Sequence, residues 1–123
     1  MTFNNTIVII PARKNSKRVK GKNLRNLNGK PLIAHTIEYA IKYINPKSIW
    51  VNSDDQLVLD LAKKYKVSTY KRHSKLAKDE TLTEEVVFDF CQHLVKKEIH
   101  FEYIITLQPT NPLRSNQLLE KAL

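Results

Sequence analysis

Glycine is nearly missing from this chain: its 123 residues contain two, alongside five prolines, so no flexible or low-complexity linker interrupts it. The scarcity also excludes the two commonest phosphate loops. A dinucleotide fingerprint needs three glycines in one turn, and a Walker A loop needs Gly, four residues and then Gly-Lys-Ser or Gly-Lys-Thr. Here Gly21-Lys22 is followed by Asn23, and position 16 is Ser. Cysteine occurs once, as Cys91, which excludes an internal disulfide and fits a reducing cytoplasm. No apolar run approaches the ~20 residues of a membrane helix. The start of the chain lacks the basic, apolar, small-residue order of a secretory signal. The expectation is therefore a cytoplasmic protein with no membrane partner. His35, His73, His93 and His100 show no metal-ligand spacing, and none lies near a Ser or Cys in a way that suggests a triad. Internal repeats are lacking as well.

Acidic residues are in the minority, 12 against 21 Lys and Arg, for a formal charge of +9. Such a balance favours anionic partners without choosing among nucleotides, sugar acids, nucleic acid and acidic membranes. Basic and aromatic residues are not interleaved as in RNA-recognition strands, so nucleic acid is not the expected partner. With 41% hydrophobic and 27% charged residues, the chain reads as a single globular domain over 1–123.

Much of the positive charge is concentrated. Arg13, Lys14, Lys17, Arg18, Lys20 and Lys22 fall within ten positions, directly after the apolar run Thr6–Ile10 and before a helical pattern that opens at Pro31. Strand, basic loop, helix is how an α/β protein holds a polyphosphate, the strand's carboxyl end aiming the loop at the ligand. A solvated basic loop is the plainer alternative.

The rest of the chain alternates in the same way. The spacing of Ile33, Ile37, Ala40, Ile41 and Ile44 predicts a helix over 31–44 with Pro31 at its first position. Strands are expected at 48–51, 67–70 and 103–107. Ser53 is expected to cap a second helix through a Ser53-x-x-Gln56 capping box, with Val58, Leu61, Ala62 and Tyr65 as its inner stripe. Thr83 is expected to cap a third, with Cys91 among Val87, Phe90 and Leu94 on its buried stripe. Ser115 opens a last helix. Asp54-Asp55 could be a carboxylate pair for a metal, but Asp is favoured at a helix start, so no metal ligand is assigned. Alternating strands and helices imply a parallel sheet covered on both faces. In such a sheet the segments after the strands converge on one edge, here the basic loop, 52–54, 72–83 and 108–114.

Those segments carry a resemblance. Lys22-Asn23, Gly29-Lys30-Pro31-Leu32-Ile33, Asn52-Ser53-Asp54, Arg72 with Leu76-Ala77-Lys78-Asp79, and Leu107-Gln108-Pro109-Thr110-Asn111-Pro112-Leu113-Arg114 occur in order along the chain. Together with the basic loop they resemble the acylneuraminate cytidylyltransferase family, which makes CMP-sialic acid and related CMP-nonulosonic acids. Asn15 and Lys20 stand where relatives often carry Gly and Pro. The resemblance implies a three-layer, Rossmann-like nucleotidyltransferase fold, truncated to its N-terminal portion. Its partners would be CTP and a nonulosonic acid such as N-acetylneuraminate. The implied cofactor is Mg2+, whose Asp-x-Asp ligands this chain lacks, so the chain is expected to be incomplete for catalysis.

By the same resemblance Lys22 contacts the phosphate where bonds exchange, and Arg13, Ser16 and Lys17 hold the triphosphate. Asn23, Arg72 and Thr83 surround the cytosine and its ribose, while Gln108 and Thr110 reach toward the sugar acid. Arg13 and Lys22 also stand on chemistry alone, since a pyrophosphate leaving group needs cations where charge builds. The readings from other classes are a non-catalytic nucleotide-binding module and a basic nucleic-acid-binding domain. A homo-oligomer is expected, because the strand at 103–107 has no Pro or Lys to discourage pairing along an open edge.

Overall fold

The computed structural model describes residues 5–14 and 21–109. Four strands form one parallel sheet: β1 (Thr6–Pro11), β4 (Ile49–Ser53), β5 (Ser68–Lys71) and β6 (Tyr103–Thr106), in the order β5-β4-β1-β6. A small antiparallel hairpin, β2 (Asn26–Leu27) and β3 (Lys30–Pro31), lies between β1 and the first helix. The helices are α1 (Leu32–Ile41), α2 (Gln56–Lys64) and α3 (Thr83–Lys96).

Alternation along β1 sorts the core into two layers. Val8 and Ile10 point to the face covered by α1 and α2, meeting Ile33, Ile37 and Ala40 of α1 and Val58, Leu59 and Ala62 of α2. Ile7 and Ile9 point the other way, onto Val86, Phe90 and Leu94 of α3. Both faces of β1 are thus dry, as expected for a continuous apolar strand inside a parallel sheet. Each such fully buried Ile or Val contributes about 1.5–3 kcal/mol relative to exposure. The three-layer α/β architecture expected from the sequence is the one observed.

Several boundaries differ from the sequence reading, for local reasons. α1 begins one residue after Pro31, which pairs in the hairpin with Asn26. It ends at Ile41, where Tyr43 N and Lys42 N turn back to Ala40 and Tyr39 carbonyls, yet Ile44 remains buried in the same core. Ser53 does not cap α2. It is still paired in the sheet, opposite Lys71, and its hydroxyl accepts from Asp55 N at 2.9 Å. Asp55 is the cap, accepting from Leu57 N at 3.0 Å, so the helix-start reading of Asp55 holds. Thr83 does not cap α3 either. Leu82 occupies that position with extended backbone, and Thr83 is already helical. Glu85 supplies part of the missing cap by accepting from Leu82 N at 3.2 Å. Cys91 is half-buried on the flank of α3 rather than in its core, and burial pushes its thiol pKa up. The segment that would hold a helix from Ser115 lies outside the described residues.

The chain steps from β1 to β4 to β5 on one side, then returns past β1 to β6. That reversal between β1 and β6 makes a crevice at the carboxyl ends of the two strands, where open α/β sheets receive ligands.

Candidate active site

The loop after β1 is fastened at several points. Ala12 N donates to Asn52 O at 2.9 Å, and Lys14 N donates to Asp54 Oδ1 at 2.7 Å, tying the loop to the end of β4. Gly21 N donates to Lys14 O at 3.2 Å, which ties Gly21 to the start of the loop. Gly21 has a φ of 65°, the left-handed region where a side chain would be strained. Asn23 is buried and donates through Nδ2 to Arg13 O at 3.0 Å. Its amide therefore holds the start of the loop, a task the base-recognition expectation had not foreseen. Lys22 opens a short 3-10 turn, Lys22–Leu24, whose exit is pinned by Leu32 N donating to Arg25 O at 2.8 Å.

Arg72 follows β5 and is only 5% exposed. Its Nε donates to Asn52 Oδ1 at 2.6 Å, one terminal nitrogen donates to Asn52 O at 3.1 Å, and the other donates to Leu76 O at 3.3 Å. The fork welds the end of β4 to the loop after β5. Burial lowers the Arg72 pKa, the Asp54 carboxylate raises it, and the Arg13 cation lowers it again. The Lys14–Asp54 and Arg72–Asn52 hydrogen bonds put Arg13, Asp54 and Arg72 on segments tied together at one edge of the sheet. Arg72 remains a cation, since no protein environment readily deprotonates guanidinium. Three of its five N–H groups are spent on this clamp, leaving two for a ligand.

Asn52 is the residue that sequence reasoning did not single out by itself. It is fully buried at the end of β4, and its carbonyl accepts from both Ala12 N and Arg72. Its Nδ2 has no hydrogen-bond partner among the described residues. The available signal was an Asn terminating the apolar run Ile49-Trp50-Val51, where a buried amide must serve a specific partner.

The remaining elements close around this edge. Arg13 forms an ion pair with Asp79 at 2.6 Å. Gln108, just after β6, donates to the Thr83 hydroxyl at 3.4 Å, bridging the end of that strand to the first turn of α3. Beside Arg72, a depression of about 530 Å³ is lined by Asp54, Tyr70, Lys71, Arg72, His73 and Ser74. His73 caps the Ser74–Leu76 turn, accepting from Lys75 N at 3.1 Å. Of the sequence candidates, Arg13, Lys22, Asn23, Arg72, Thr83 and Gln108 all lie on segments that follow the strands' carboxyl ends. Ser16, Lys17 and Thr110, like Asn15, Arg18 and Lys20, lie outside the described residues.

Chemically, the arrangement offers fixed cations and amide donors in a partly dry crevice, suited to an anion. Carboxylates are less available. Asp54 accepts from Lys14 N, Asp55 caps α2 and Asp79 holds Arg13. Among the described residues, no group of three or more His, Cys, Asp or Glu could hold a metal ion. A Mg2+ ion that joins phosphate oxygens needs one or two carboxylates, and here Asp54, Asp55 and Asp79 each already hold one contact through an oxygen.

A family model described as cytidylyltransferase matches residues 7–123. The chain belongs to the cytidylyltransferase family. It is similar to the CMP-N,N'-diacetyllegionaminic acid synthase of Legionella pneumophila, 37% identical over 94% of this chain and 50% of the relative. An N-acylneuraminate cytidylyltransferase of Streptococcus agalactiae is 34% identical over 95% of the chain and 28% of its own length. A pseudaminic acid cytidylyltransferase of Campylobacter jejuni is 31% identical over 94% of the chain and 50% of its own length. The chain thus spans half or less of the length of these relatives. Among solved structures, a CMP:2-keto-3-deoxy-manno-octonic acid synthetase complexed with CTP superposes with a TM-score of 0.76 at 24% identity. It covers 96% of this chain and 45% of that one, a likeness of fold. The acylneuraminate cytidylyltransferase resemblance read from the motifs agrees with these family assignments. No helix among the described residues is long and apolar enough to cross a membrane.

Proposed function

We propose that the chain is the nucleotide-binding part of an enzyme that transfers CMP from CTP to a sialic-acid-type nonulosonic acid and releases pyrophosphate. What supports this reading is that Arg13 and Lys22, on the loop after β1, and Arg72, after β5, all follow the carboxyl ends of parallel strands in a chain of the cytidylyltransferase family. In the proposed reaction the anomeric hydroxyl of the sugar attacks the α-phosphorus in line. A new P–O bond forms, the hydroxyl proton passes to solvent, the bond to the bridging oxygen breaks, and pyrophosphate carries away the negative charge. Lys22 stabilises charge at the α-phosphate, and Arg13, Ser16 and Lys17 hold the triphosphate. Asn23, Arg72 and Thr83 read the cytosine and ribose, and Gln108 and Thr110 meet the sugar acid. Fixed cations of this kind act by positioning and charge stabilisation, which is most of what phosphoryl transfer asks of a protein. The metal expected from the family resemblance would have to find its carboxylates elsewhere, so the chain by itself is proposed to bind CTP without efficient turnover. A cytoplasmic setting, where cysteines stay reduced, suits such a protein.

Calorimetry with CTP, UTP and ATP tests the reading. CTP is expected to bind best, and Lys22→Ala to weaken it about tenfold or more, the scale of a lost charge-assisted contact. Equal affinities for the three nucleotides, or binding of single-stranded RNA that collapses between low and high salt, would instead favour a general anion surface.

We also infer self-association through β6. Among the described residues β6 pairs with β1 alone, and Tyr103 is 65% exposed at its start. An open strand edge beside exposed apolar side chains is a template for pairing. Light scattering across micromolar concentrations is expected to show a dimer or larger species, with the outward-facing Ile104 and Thr106 amides protected from hydrogen exchange. A uniform monomer would overturn this.

A further inference from the structure

Arg13 would be a poor phosphate ligand if it were free to sweep through solvent. Its side chain is about one quarter exposed, with a side-chain relative exposure of 27%. Its backbone is anchored where Asn23 Nδ2 donates to its carbonyl. The guanidinium is anchored separately, one terminal nitrogen lying 2.6 Å from Asp79 Oδ1. Asp79 lies in the segment between the Ser74–Leu76 turn and α3, sixty-six residues away in sequence. That segment is itself held. Arg72 donates to Leu76 O at 3.3 Å, and Lys78 N donates to the Thr81 hydroxyl at 3.2 Å. The Asp79 contact uses one of five guanidinium N–H groups, so four remain for a ligand.

We propose that Asp79 is a positioning residue for the triphosphate site, holding the Arg13 guanidinium across the crevice mouth so that its unused N–H groups meet the phosphates. The inference rests on the proposed CTP site and deepens it. It opposes simple electrostatics: a carboxylate near an incoming polyanion should repel it, so removing the charge alone should tighten binding. Positioning predicts the reverse, because an untethered Arg13 must be ordered at the moment of binding, at a cost in side-chain entropy.

The sign of the effect therefore decides. Asp79→Ala is expected to weaken CTP affinity about three- to fivefold, the range of a half-exposed ion pair. CMP, followed by NMR titration, is expected to bind both proteins equally, because it lacks the phosphates assigned to Arg13. In an Arg13→Ala background, Asp79→Ala is expected to have no further effect, a coupling that a general loosening of the fold would not produce. Circular dichroism of each variant checks that it is folded. If wild type binds CTP but Asp79→Ala leaves the affinity unchanged or tighter, or if the two substitutions add independently, the positioning role is overturned while the CTP site stands. If wild type does not bind CTP, both fall together.

Discussion

Replacing Arg72 by alanine is expected to lower stability by about 3 kcal/mol or more, and to weaken nucleotide binding in whatever fraction stays folded. The guanidinium is the only described link joining the side chain and carbonyl of Asn52 to the carbonyl of Leu76. Its removal leaves the Asn52 amide, already fully buried and lacking one partner, with no hydrogen bond to its oxygen. An unsatisfied buried polar group costs about 1–3 kcal/mol, and the clamp satisfies several such groups at once. Arg72→Lys separates charge from geometry. Lysine keeps the positive charge but cannot make the planar fork, so it is expected to lose most of the same stability. Denaturant melts of both variants against wild type provide the measurement. If Arg72→Lys were as stable as wild type, charge rather than the fork would be holding the ends of β4 and β5.

The layers of this fold were legible because burial writes itself plainly into parallel strands. Thr6–Ile10 is apolar without alternation, which a strand wet on one face would not be. The convergence of the basic loop, 52–54, 72–83 and 108–114 was expected because each segment follows a strand of a parallel sheet, and of the last of them only 108 and 109 are among the described residues. Capping was less legible, because it depends on where the strand lets go. Ser53 has the right chemistry for a cap, yet pairing with Lys71 carries β4 through it and passes the task to Asp55. The hairpin at 26–31 did leave a sequence signal, Asn28-Gly29, with φ of 53° and 91°. Such a dipeptide between short strands marks a two-residue turn. It was masked by the helical pattern that starts just after it. The long-range partners Arg13–Asp79 and Arg72–Asn52 had no local signature, since nothing in the spacing of single charges says which will meet across a sheet edge. The placement of Arg13, Lys22, Asn23, Arg72, Thr83 and Gln108 on segments that follow strands was therefore readable, whereas the ties that orient them were not.

Phe90→Ala is expected to cost about 3–5 kcal/mol, a large part of the 5–15 kcal/mol by which ordinary domains are stable. Phe90 is fully buried and is the centre of the layer beneath α3, packed with Ile7, Ile9, Val86 and Leu94. Its ring meets Trp50 edge-on at a centroid distance of 5.3 Å and Tyr70 at 5.6 Å. Truncation loses the transfer energy of the ring, the aromatic contacts and the packing around the void. The surroundings cannot readily collapse, because Tyr70 is tethered through its hydroxyl to Asp89 at 2.9 Å. Burial, reinforced by Asp89, pushes the Tyr70 pKa up to about 12, so that tether stays protonated through the neutral range. Phe90→Leu, which keeps most of the apolar volume, is expected to cost far less. Tyr70, which packs on Phe90, also lines the depression beside Arg72, but Phe90 itself lies beneath α3 and lines no part of it, so CTP affinity of the folded Phe90→Leu protein should match wild type. Thermal melts paired with calorimetry test both halves. A Phe90→Leu variant that is stable but has lost CTP binding would show that the α3 layer also shapes the crevice, against the division of labour drawn from the two cores.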